Sequence, residues 1–237
     1  MNESRQKLAE VKGRIAVAAK SAGRDISGIR LVVVTKGHPA EVIRELYELG
    51  VCDIGESYLQ EGLEKRSELG DLEGLQWHMI GHVQSRKAKQ TTLHFDMIHS
   101  VDSLKLAKRL DHFAGEAGRH QPILLECNVS GETNKYGWPA WEASRWEALL
   151  PEIEQTLQLP NVHVHGLMSM APYLDDSEKA RPYFARTREL RDYLAGKFPQ
   201  TDWSQLSMGM SGDFEAAIIE GATILRIGTA IVGERPD

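Results

Sequence analysis

Cysteine is almost absent: Cys52 and Cys127 are the only two in 237 residues. One falls in a helix-to-strand connection and the other in an apolar strand, which excludes a disulfide framework and a cysteine-rich zinc site and suits a reducing compartment. Long apolar runs are also missing. No stretch approaches the roughly 18 residues of a membrane span, and Met1-Asn2-Glu3-Ser4-Arg5-Gln6-Lys7 carries no apolar signal core. A cytoplasmic protein with no membrane partner is expected. Positive charge is outnumbered, with 28 Lys and Arg against 34 Asp and Glu for a net charge of −6. The strongest basic cluster, Arg86-Lys87-Ala88-Lys89, is too short for a nucleic-acid footprint, so no nucleic acid is expected as partner. Linkers rich in Gly, Pro or Ser are lacking as well, and the expectation is one domain over 1–237.

What the chain does contain is an alternation of strand-length apolar runs with helical segments, the mark of a parallel sheet with crossover helices. Strand candidates are Arg30 to Thr35, Val51 to Gly55, Gln76 to Gly81, Met97 to Val101, Ile123 to Val129, Val162 to Met168, Leu206 to Met208 and Thr223 to Ile227. Helical spacing is clearest at Leu106, Leu110, Phe113 and Ala117, and at Tyr183, Phe184, Thr187, Leu190 and Leu194. A further amphipathic helix through Leu8, Val11, Ile15, Ala18 and Ala19 precedes the first strand, placed to cover one end of the sheet. Eight strands, each followed by a helix, predict a (β/α)8 TIM barrel with an additional N-terminal helix. An open doubly wound sheet is the alternative.

In a barrel the chemistry belongs at the carboxyl ends of the strands. Lys36 closes Leu31-Val32-Val33-Val34-Thr35-Lys36, and an ammonium delivered into a sheet interior is used for Schiff-base chemistry or for charge pairing. The last strand ends in Leu225-Arg226-Ile227-Gly228-Thr229, a cation followed by small residues suited to a phosphate. Metal binding lacks a ligand set. His78 and His82 are four apart but across a strand-to-loop transition, and His163 and His165 share a strand face without Asp or Cys partners.

Val33-Val34-Thr35-Lys36, Trp77-His78-Met79-Ile80-Gly81, Gln84-Ser85, Gly166-Leu167-Met168, Leu206-Ser207-Met208-Gly209-Met210-Ser211 with Asp213, and Arg226-Ile227-Gly228 occur in that order from about residue 30 onward. This set resembles the pyridoxal phosphate homeostasis proteins (the YggS/PROSC family). The resemblance implies an alanine-racemase-like barrel that lacks the racemase's additional β-domain and binds pyridoxal 5′-phosphate (PLP). Lys36 would be the Schiff-base lysine, made neutral and nucleophilic by partial burial. Arg226 would face the pyridine nitrogen; as a donor that stays protonated, it would weaken the ring as an electron sink. The alternative places Arg226 in an interior polar layer, paired with Glu56 or Asp213. The phosphate would rest on the amides of Gly228 and Thr229 and the hydroxyls of Ser207 and Thr229. Ser57, Ile80 and Met168 complete the cofactor set that the resemblance implies.

Two positions depart from the family pattern. Ser57 follows Gly55-Glu56 where the family carries asparagine, and Arg86 stands where asparagine is commoner. Lys135, in Asn134-Lys135-Tyr136-Gly137, is either a second lysine that handles cofactor or a solvated loop residue. The implied function is PLP carriage and homeostasis, with PLP-dependent apoenzymes as recipients and a monomer or weak dimer as the assembly. A weakly active amino-acid racemase is the alternative, and it needs a proton donor opposite Lys36. Tyr58, Tyr136 and Tyr173 are the available substitutes, and nothing in their setting selects one. A sugar-phosphate barrel enzyme is the reading without PLP.

Overall fold

The computed structural model describes residues 3–235. Its strands are β1 (Arg30–Val34), β2 (Asp53–Glu56), β3 (Gln76–Met79), β4 (Met97–Val101), β5 (Gln121–Asn128), β6 (Trp138–Pro139), β7 (Val162–Ser169), β8 (Gln205–Ser207) and β9 (Ile224–Ile227). They pair in the order β4-β3-β2-β1-β9-β8-β7-β5, and β4 pairs with β5 to close the ring. Every pairing is parallel. Closure rules out the open doubly wound sheet, and each barrel strand begins and ends within two residues of the bounds expected from its apolar run. The pair Trp138–Pro139 was not expected. It continues the β4 side of β5 beyond Val101, pairing with Cys127 and Asn128, while the Trp138 indole donates to the Val101 carbonyl at 3.2 Å.

The helices that follow the strands are α2 (Ala40–Glu48), α3 (Leu59–Glu68), α4 (Ala88–His94), α5 (Leu104–Glu116), α6 (Leu150–Leu157), α7 (Arg181–Lys197), α8 (Phe214–Ile219) and α9 (Thr229–Val232). The longer ones turn a buried, mainly apolar stripe to the barrel. In α5 this is Leu106, Ala107, Leu110 and Ala114, with Ser103 capping the first turn through the Leu106 amide. In α7 it is Phe184, Thr187, Leu190 and Leu194. Preceding all of these, α1 (Glu3–Ser21) buries Leu8, Val11, Ile15, Ala18 and Ala19. It packs chiefly on α8 and α9, so it shields the stretch of wall that the four-residue α9 is too short to cover, and does not close an end of the sheet.

Inside the ring, Val32, Met97, Leu124, Met168 and Ile224 form a small cluster separate from the large one beneath the helices. Alternation along each strand produces this division, and it makes the interior a packed core, not a pore. Two glycines are dictated by close backbone approach. A Cβ on Gly166, where φ is +145°, would fall 1.8 Å from the Gln205 carbonyl oxygen of the neighbouring strand. At Gly81 it would fall 2.1 Å from the Ser57 carbonyl oxygen, where the ends of β2 and β3 come together at the rim.

Candidate functional site

Val34 and Gly55 are register partners in β1 and β2. Side chains alternate between the faces of a strand, so Val34 and Lys36 point one way and Thr35 and Glu56 the other. Glu56 accordingly turns outward beneath α3 and is fully buried there. Its Oε1 accepts from the Thr35 hydroxyl at 2.6 Å and from Lys65 Nζ at 2.7 Å, and burial raises its carboxyl above the usual range. The Arg226 partner considered from the sequence is therefore not Glu56. Lys65 also donates to the Thr35 carbonyl at 2.7 Å and to Glu61 Oε1 at 2.6 Å, and Glu61 Oε1 accepts from the Gly37 amide at 2.5 Å. The peptide groups on either side of Lys36 are thus both fixed from outside the barrel.

Lys36 itself points to the other face. Its amine is half-buried and, among the described residues, has no hydrogen bond or ion pair. Burial draws its pKa below the ordinary lysine value; Arg235 and Arg226 push the same way, against Glu56 and Glu61. The amine opens into a cavity of about 430 Å³ at the carboxyl ends of the strands. Five of the expected residues join Lys36 in the lining: Ser57, Ile80, Arg226, Gly228 and Thr229. Apolar surface comes from Val34, Ala171, Pro172 and Leu174, and further polar groups from Ser211, Asp213 and Lys135 at the edge, where Lys135 pairs with Glu132.

Met168 and Ser207 do not line the cavity. Met168 lies in the interior apolar cluster, with no exposed surface. Ser207, expected as a phosphate donor, is fully buried. Its Oγ accepts from Arg226 Nη1 at 2.7 Å and lies 2.8 Å from His99 Nδ1, so the hydroxyl is engaged below the cavity floor. Arg226 is held further by the carbonyls of Ser207 at 2.6 Å and Ser169 at 3.0 Å. Burial lowers its pKa to about 10, with Glu126 and Asp213 opposing the shift, so the guanidinium stays charged at neutral pH. Asp213 is fixed by the Met210 amide at 2.6 Å, and burial raises its pKa.

Three buried groups escaped the reading of the sequence. Glu126 is 4% exposed, its Oε2 has no hydrogen-bond partner among the described residues, and burial with a push from Asp102 raises its pKa to about 7. A lone carboxylate in Leu124-Leu125-Glu126-Cys127 was a visible signal. His99, in an apolar strand, was visible in the same way. Lys65 was not, because a helical lysine four residues after a glutamate reads as an ordinary exposed pair. His82 stacks on Tyr136 and meets Asp102 at 3.1 Å, and among the described residues no cluster of three or more His, Cys, Asp or Glu is arranged to hold a metal.

A closed parallel barrel with a free lysine at the end of its first strand, a buried arginine on its last, and a cavity between them defines a barrel of the alanine-racemase type. The family model described as alanine racemase, N-terminal domain, matches residues 7–236. An alanine racemase of Clostridium difficile shares the fold at a TM-score of 0.71 and 16% identity, covering 100% of this chain and 58% of that one. Similarity is much higher to proteins named pyridoxal phosphate homeostasis protein. It reaches 44% identity with that of Aquifex aeolicus over 97% of both chains, and 42% with that of Pseudomonas aeruginosa over 99% of this chain and 97% of the other. The chain belongs to the pyridoxal phosphate homeostasis protein family. PipY of Synechococcus elongatus, solved with PLP bound, superposes at a TM-score of 0.85 and 37% identity, covering 97% of this chain and 100% of that one. No helix among the described residues is long and apolar enough to cross a membrane.

Proposed function

We propose that this chain is a cytoplasmic PLP carrier, a single unit over 1–237 working as a monomer or weak dimer, that holds PLP through a Schiff base to Lys36 and delivers it to PLP-dependent apoenzymes. The observation that carries the proposal is the unpaired, half-buried Lys36 amine facing a cavity whose floor is the charged Arg226. The residues present fit PLP. Lys36, its pKa lowered by burial, offers an unpaired amine to an aldehyde, Thr229 and Ser211 offer hydroxyls to a phosphate, and Val34, Ile80 and Pro172 offer an apolar slot to a flat ring. Ser57 lines this slot. When bound, the cofactor supplies an aldehyde and an electron-withdrawing ring; Arg226, a donor only, faces that ring and disfavours a proton on its nitrogen.

Carriage is favoured over racemisation by where the three tyrosines lie: Tyr58 and Tyr136 do not line the cavity, and Tyr173, which does, is almost wholly exposed. Tyr58, Tyr136 and Tyr173 are 55%, 56% and 98% exposed, so none is a buried acid held against the cavity. The test is spectroscopic and functional together. Mixed with PLP, the purified protein should develop the yellow absorbance of a protonated Schiff base. Lys36→Ala should not, and the loaded protein should restore activity to a PLP-dependent apoenzyme. Equal colour in Lys36→Ala, or a loaded protein that never reactivates an apoenzyme, would overturn the proposal.

A further inference from the structure

A file of polar side chains crosses the barrel interior. Asp53 opens β2 at the end opposite the cavity and is partly exposed there, beside Arg30 Nε at 3.9 Å. His78 Nε2 lies 3.0 Å from Asp53 Oδ1, and His78 Nδ1 lies 2.9 Å from His99 Nε2. His99 Nδ1 lies 2.8 Å from Ser207 Oγ, which accepts from Arg226 Nη1 at 2.7 Å. Four contacts of hydrogen-bond length thus join an exposed carboxylate on one face to the guanidinium under the cavity on the other.

Donors and acceptors along the file have one assignment that satisfies every atom. A carboxylate cannot donate, so His78 carries its hydrogen on Nε2 and presents a bare Nδ1. His99 must then donate from Nε2, which leaves its Nδ1 bare, and Ser207, already accepting from Arg226, donates its hydroxyl hydrogen there. A second proton on His78 would reverse the next two bonds and leave the Ser207 hydrogen without an acceptor in the file. Burial, with the charge of Arg226, drives the His99 pKa well down and keeps that ring neutral.

Resting on the reading of Arg226 as the group under the PLP ring, we propose that Asp53, His78, His99 and Ser207 are positioning residues for Arg226. The aligned bonds, all donating away from the guanidinium, fix its orientation and set how strongly its remaining N–H groups polarise whatever lies in the cavity. Through the file, Asp53 is a determinant of the cofactor environment at the far end of the barrel, and His78 and His99 serve this end. Aligned hydrogen bonds in a dry interior reinforce one another, which is what lets a change at one end register at the other.

Two measurements test this. In the ligand-free protein, ¹⁵N NMR of the imidazoles should find the hydrogen on Nε2 of both His78 and His99; a hydrogen on Nδ1 of His99 overturns the file. In the PLP-loaded protein, Asp53→Asn keeps an acceptor but removes the charge and should shift the absorbance maximum. His99→Leu breaks the file and should weaken PLP binding about tenfold, the scale of one lost buried hydrogen bond. Met97→Leu, inside the barrel but outside the file, should change neither. Folded Asp53→Asn with an unshifted maximum, or folded His99→Leu with unchanged affinity, contradicts the proposal. A wild-type protein that never colours with PLP counts against the Lys36 reading, and the ligand-free tautomers decide the file in that case too.

Discussion

Lys65 donates to the carbonyl of Thr35, the residue immediately before Lys36, at 2.7 Å. One buried lysine, which does not line the cavity, thereby holds the backbone from which a second lysine reaches into it. Lys65 also neutralises Glu56, and removal of one partner from such a pair strands the other charge. Lys65→Met is expected to destabilise the fold by about 3–5 kcal/mol and to slow reaction of Lys36 with PLP. Urea unfolding together with the rate of colour development reads both, and a loss below about 1 kcal/mol would mean that the pair is not the anchor proposed here.

Glu126 predicts a pH dependence whose sign is fixed by its burial. Its folded-state pKa of about 7 lies above the ordinary 4.5, so the folded state holds the proton more tightly than the unfolded chain. The associated stability is fully present below about pH 4.5 and is lost as pH rises through 7. Glu126→Gln removes this loss. Thermal melts at pH 5 and pH 8 should show the variant gaining on wild type at the higher pH by about 3 kcal/mol. A constant difference between the two proteins would place the carboxyl in contact with water or with a partner.

Gly166→Ala should destabilise by about 1–3 kcal/mol or more, from its positive φ alone. The added carbon would meet the Gln205 carbonyl 1.8 Å away, and the β7–β8 pairing would have to part. Urea unfolding checks this, and wild-type stability in the variant would show that the two strands can separate at little cost.

Arg226→Glu replaces a donor that stays charged with a group able to accept or share a proton. With PLP bound, slow racemisation of an amino acid should rise above the wild-type level. A variant that binds PLP and shows no new turnover would mean that Arg226 is not what restrains the chemistry.

The barrel was legible because its strands are short apolar runs at regular spacing, and the place of Lys36 on the cavity because it closes such a run, although charge pairing was an equally available reading of that lysine alone. The two-residue β6 was not legible, since Trp138–Pro139 owes its pairing to the place where β4 stops and not to its own pattern. Glu56 stood beside Asp213 as a possible partner in the alternative reading of Arg226 because the parity of β2 relative to β1 depends on the register Val34↔Gly55, which only the assembled sheet reveals. Ser207 was assigned to phosphate for its place at a strand end, whereas the buried imidazole of His99 and the Arg226 guanidinium both compete for its hydroxyl. The anchors of Lys36 lie in α3, nine residues from Glu56 in sequence, and helical spacing alone marks them as surface.

The central claim is that Lys36 is the amine that holds PLP, and borohydride reduction of the PLP-loaded protein followed by peptide mapping tests it most directly. The account predicts one reduced pyridoxyl label, on the peptide carrying Lys36, and none on that peptide when Lys36 is replaced by alanine. A label on Lys135, or scattered over surface lysines with Lys36 unmodified, would contradict it.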